Sequence, residues 1–66
     1  MQVVVNGEQR DLPDAISVSD LLQSLSLEPR RVAVELNKQI VPRARYIETR
    51  LGENDDLEIV TLVGGG

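Results

Sequence analysis

The chain has 66 residues, with seven Lys+Arg against eleven Asp+Glu for a formal charge of -4, no Cys, no His, and Tyr46 as its one aromatic residue. A chain of this size removes only about 60% of its unfolded surface from water, so it makes a single domain in which every apolar position is needed for the core. The composition excludes disulfide staples, thiolate and imidazole chemistry and base-stacking platforms, and the negative charge disfavours nucleic acid as a partner.

The longest uninterrupted apolar runs, Val3 to Val5 and Val32 to Val34, fall far short of the ~20 residues of a membrane span. The opening stretch MQVVVNG lacks the positive region and long apolar segment of a secretion signal. With no cysteine to oxidise, the protein is expected in the cytoplasm.

Met1 to Val5 is β-branched and apolar, and Asn6-Gly7 then supplies a pair that tolerates positive φ before Glu8 to Leu12 resumes. This predicts an antiparallel hairpin. Pro13 and Asp14 end the second strand, and Ser17 stands where an N-cap hydroxyl serves a helix starting at Val18 with Asp20 in its first turn. Val18, Leu21, Leu22 and Leu25 fall at i, i+3, i+4 and i+7, an apolar stripe on one face.

Pro29 closes that segment, and Val32, Val34 and Leu36 alternate with Ala33 and Glu35 in the period of a half-buried strand. Asn37-Lys38-Gln39 predicts a turn into a short Ile40-Val41 strand, closed by Pro42, which has no amide to donate. Arg43 to Leu51 is mixed, with one helical turn expected around Tyr46. Gly52 to Asp56 is a polar connector, and Leu57 to Val63 forms the last strand.

Strand, strand, helix, strand, short strand, strand is the order of an α+β β-grasp, a mixed sheet of four to five strands covered by one main helix. A right-handed crossover through the helix places strand three on the sheet beside the opening hairpin, with the last strand parallel to the first in the middle. Residues 1–63 then form the domain, and Gly64, Gly65 and Gly66 a flexible tail leaving the centre of the sheet. Strand alternation puts Val4, Val60 and Leu62 on the open face, an apolar patch that with Val63 predicts a partner interface beside the tail.

Three glycines at a terminus, taken alone, fit a frayed end. As the continuation of a central strand they fit a tail made to be bound, because glycine passes through channels too narrow for other residues and adopts backbone angles closed to them. Three stretches, MQVVVNG, Glu35 to Tyr46 (ELNKQIVPRARY) and Leu57 to Gly66 (LEIVTLVGGG), resemble the ThiS family, the ubiquitin-like sulfur carriers of thiamine biosynthesis. The likeness covers essentially the whole chain, and its most specific part is the diglycine end, Gly65 and Gly66.

The resemblance implies a protein cosubstrate rather than an enzyme. An adenylyltransferase similar to ubiquitin-activating enzymes (ThiF-like) would use ATP to adenylate the Gly66 carboxylate. Sulfur from a cysteine persulfide, supplied by a cysteine desulfurase, would then displace AMP and leave a thiocarboxylate. A thiazole synthase (ThiG-like) would take that sulfur for the thiazole ring. The carrier itself would bind no cofactor and no metal.

The molybdopterin synthase small subunit resembles the same fold and tail, and a ubiquitin-like modifier or binding module is a third reading. Length and NKQIVPR favour the thiamine carrier. Arg43 and Arg45 beside Pro42 have two readings, docking on an acidic partner surface and solvated loop residues, of which the second is the commoner; Tyr46 is expected as a packing residue, and Asp55 and Asp56 as turn-shaping residues rather than a cation site.

Overall fold

A computed structural model of the chain describes residues 1–63. The elements run β1 (Gln2–Val5), β2 (Glu8–Asp11), α1 (Val18–Ser24), a 3-10 turn (Pro29–Arg31), β3 (Val32–Leu36), β4 (Gln39–Ile40), a second 3-10 turn (Arg43–Arg45) and β5 (Asp56–Thr61). Five strands make one sheet in the order β2-β1-β5-β3-β4, with β5 parallel to β1 and antiparallel to β3. This is the expected β-grasp. One detail differs: β3 does not sit beside the opening hairpin, because β5 occupies the position between them.

Helix α1 begins where the sequence places it. The Ser17 hydroxyl accepts from the Asp20 amide at 3.0 Å, which satisfies one of the amides that a helix start leaves without a partner. At seven residues the helix is too short to persist alone in water, so packing holds it. Val18, Leu21 and Leu22 are fully buried against Val3, Val5, Val34, Leu57 and Ile59, while Leu25, at the C-cap, covers the edge of this cluster. Tyr46 and Leu51 close one flank of the core. Burial pushes the Tyr46 phenol above its ordinary range against the opposing pull of the Arg43 charge.

Both hairpins turn through left-handed backbone. Asn6 and Gly7 have φ of 52° and 81°, matching the primed turn that suits the strand twist. Asn37 and Lys38 have φ of 51° and 70° with no glycine between them. The second turn is therefore Asn37-Lys38, and the strand after it is Gln39–Ile40 rather than Ile40-Val41. Val41 instead points into the core, its amide donating to the Val34 carbonyl at 2.9 Å.

The two asparagines do more than turn the chain. Register pairs between β1 and β5 number only two, Val4 with Asp56 and Val5 with Leu57. Beyond them the Asn6 side chain takes over: its Nδ2 donates to the Ile59 carbonyl at 3.0 Å and its Oδ1 accepts from the Ile59 amide at 2.7 Å. The carboxamide stands in for the next peptide of β1. At the other end of β5, Asn37 accepts from the Asp56 amide at 3.0 Å through Oδ1 and donates its own amide to the Asp56 carbonyl at 2.7 Å. One asparagine in each hairpin thus grips the central strand.

This grip sets an expectation. Asn6→Gly keeps the turn but removes the clasp, and should cost about 1 to 3 kcal/mol by leaving both Ile59 backbone groups without their partner. Asn6→Ala should cost more, since it adds the strain of a Cβ at positive φ. Urea titration of the two variants checks both the loss and the ranking; an Asn6→Gly protein as stable as the parent would show that the clasp contributes nothing.

Candidate functional site

β5 carries the chain out of the sheet. Thr61 pairs with Val32, and the Leu62 amide then donates to the Arg31 carbonyl at 2.7 Å, which ties the chain to the 3-10 turn one residue past the strand. Val63 is wholly exposed. The sequence-derived tail, Gly64 and Gly65 with the reactive position at Gly66, lies outside the described residues.

On β5 the helix-facing residues are Leu57 and Ile59, both buried, so Glu58 and Val60 project from the open face. Val60 is 55% exposed and Leu62 46%. Val4 shares the face but not the neighbourhood. It is level with Asp56, so four residues of strand, or about 13 Å, separate it from Val60.

The neighbours of Val60 come instead from the far side of the sheet. Ala33 is directly opposite it on β3, and Ile40, 76% exposed, extends the patch from β4. Together with Glu35, Lys38 and Glu58 these residues line a shallow depression of about 570 Å³. Ile40 was not among the residues singled out from the sequence. Its face is set by register, since Ile40 pairs with Glu35, and alternation within a two-residue strand is too short a signal to reveal this.

The remaining candidates part company. Arg45 lies 3.7 Å from Glu48 in an exposed ion pair, whereas the Arg43 guanidinium reaches the Arg30 carbonyl at 3.4 Å. Asp55 shapes its turn as expected, Oδ2 accepting from the Gly52 amide at 2.7 Å, whereas Asp56, expected beside it in the turn, opens β5, which runs Asp56–Thr61 rather than Leu57 to Val63. Among the described residues, no helix is long and apolar enough to cross a membrane. What the arrangement offers is a contact surface: an apolar centre flanked by carboxylates, beside the point where β5 releases the chain.

Comparison with known proteins places this arrangement. Residues 3–66 match the family model described as ThiS family. The chain belongs to the ThiS family. Among its relatives, the sulfur carrier protein ThiS of Bacillus subtilis is 47% identical over 53 residues, covering 80% of each chain. A crystal structure of the thiamine biosynthesis protein ThiS from Geobacter metallireducens superimposes with a TM-score of 0.86 at 29% identity, covering all of both chains. A thiazole synthase from Paramagnetospirillum magneticum is 42% identical over 66 residues, and there the chain spans only 20% of the relative's length. The family is one of sulfur carriers for thiamine biosynthesis, which favours the first of the three readings of the sequence.

The open face carries a testable internal conflict. Glu35 and Glu58 are directly opposite each other on neighbouring strands, where like charges destabilise. Glu58→Gln should therefore raise stability, by about 0.2 to 1 kcal/mol, with the gain shrinking as salt is added. A midpoint in urea unchanged at low salt would mean that the two carboxylates splay apart into water.

Proposed function

We propose that the protein carries sulfur as a thiocarboxylate on Gly66 and delivers it to a thiazole synthase for the thiazole ring of thiamine. A ubiquitin-activating-like adenylyltransferase joins the Gly66 carboxylate to the AMP moiety of ATP with loss of pyrophosphate, converting a poor electrophile into a good one. The terminal sulfur of a persulfide, charged by a cysteine desulfurase, attacks the acyl carbon and AMP leaves. Cleavage of the sulfur–sulfur bond by a thiol then frees the thiocarboxylate. All of this takes place in the cytoplasm, and the catalysis belongs to the partners.

The observation that carries this reading is the family match, which runs through residue 66 and so includes the glycines that the chemistry requires. Two further facts support it. Thiazole synthases of two organisms contain a stretch similar to this entire chain, an arrangement that suits two proteins that must meet. The exposed Val60, Leu62 and Val63 lie where a partner drawing in the tail would touch them, and Ile40 extends that contact.

Removing Gly66 retracts the terminal carboxylate by about 3.5 Å along an extended chain, beyond what a site that depends on alignment tolerates. The shortened protein should fold as the parent does yet gain no sulfur from the adenylyltransferase, ATP and a persulfide donor. Intact mass reads the outcome as one oxygen exchanged for sulfur. Sulfur gained at the parent rate by the protein lacking Gly66 would refute the assignment.

A further inference from the structure

Charge is unevenly spread along β5. Where the strand starts, Asp11 at the end of β2, Asp56 at the start of β5 and the turn residues Asp14, Glu53 and Asp55 gather: the Asn54 amide donates to the Gln2 carbonyl at 2.7 Å, the Val4 amide to that of Asp55 at 2.9 Å, and Leu12 to Met1 at 2.8 Å. Where the strand ends, three arginines meet. Arg31 lends its carbonyl to the Leu62 amide at 2.7 Å, Arg30 precedes it in the same 3-10 turn, and the Arg43 guanidinium is drawn onto the Arg30 carbonyl at 3.4 Å.

All three side chains are exposed, and no carboxylate lies within ion-pair distance of any of them among the described residues. Glu28, at the N-cap of the 3-10 turn, and Glu8, which with Arg10 lies near Thr61, share this end, so the arginines outnumber the carboxylates there in a chain of net charge -4. Arginine favours planar, bidentate engagement of carboxylates, and unpaired arginines around one point give a field that orients an approaching partner.

We propose that Arg30, Arg31 and Arg43 form a docking collar that seats on an acidic rim of the adenylyltransferase, around the opening that takes in the tail. The proposal rests on the sulfur-carrier reading and deepens it. The collar lies at the root of the tail, so its engagement fixes how far the glycines reach into the partner. The acidic opposite end turns away from the same rim, and the molecule therefore arrives tail first. The arginines add orientation and rate of encounter, while the apolar patch of Val60 and Ile40 supplies burial.

The test measures binding to the adenylyltransferase by calorimetry, first without nucleotide and then with ATP, for the parent, for a triple variant carrying Arg30→Gln, Arg31→Gln and Arg43→Gln, and for Arg50→Glu. Arg50 donates to the Ala15 carbonyl at 3.1 Å, beside the turn that abuts β1, and serves as a control at the other end of the molecule. Three exposed pairs of ordinary strength multiply to roughly tenfold. The triple variant should bind about tenfold more weakly at low salt, and the gap should close near 1 M salt, where the screening length falls to about 3 Å. Arg50→Glu should bind as the parent does.

Equal binding by parent and triple variant overturns the collar, as does an equal loss in Arg50→Glu, which would make net charge the cause. A loss seen only when ATP is added would assign the arginines to the nucleotide and also overturn it. Failure of the parent itself to bind would count against the sulfur-carrier reading rather than the collar.

Discussion

Everything in this fold depends on holding one six-residue strand in the middle of the sheet. β5 buries only one face, through Leu57 and Ile59, and its backbone needs partners on both edges because an unpaired buried peptide group is costly. β3 meets the second edge along five register pairs, while β1 supplies only two on the first. The shortfall is made up by Asn6, whose carboxamide extends the ladder to Ile59, and the start of the strand is held by Asn37. Without those grips the central strand would have a loose edge.

The same constraint explains how the molecule divides its surfaces. A single seven-residue helix covers one face of the sheet, so the other face stays in water, and Val60, Leu62 and Ile40 remain exposed there. The opposed Glu35 and Glu58 add a further departure from what stability alone favours. Departures of this kind are expected where a surface serves binding. The chain has no thiol and no imidazole, and its open face offers an apolar patch flanked by carboxylates.

Much of this was legible in the sequence because it is local. Asn6-Gly7 fixes the first hairpin through backbone conformation alone, Ser17 fixes the helix start through one hydrogen bond three residues away, and period-two alternation assigns the faces of β3 and β5. What was not legible is pairwise and distant. The partner of Asn6 is 53 residues away, and turn chemistry says nothing about it. Lys38 at positive φ gives no composition signal, which moved the expected β4 by one residue. Register decides that Val60 meets Ala33 rather than Val4, and alternation alone cannot supply register. Arg30 and Arg31 are adjacent in the sequence, but only the fold brings Arg43 to them, its guanidinium reaching the Arg30 carbonyl, and sets Arg31 against Leu62.

The central claim is that this chain is a sulfur carrier working through its last glycine, and it is tested most directly in the cell. The native protein should be isolated from cells deprived of thiamine and its intact mass recorded alongside that of protein from thiamine-fed cells. The account predicts a species with one oxygen replaced by sulfur, located by fragmentation at Gly66 and depleted when thiamine is supplied. A carboxylate at Gly66 as the only form under both conditions, in cells that are making thiamine, would contradict it.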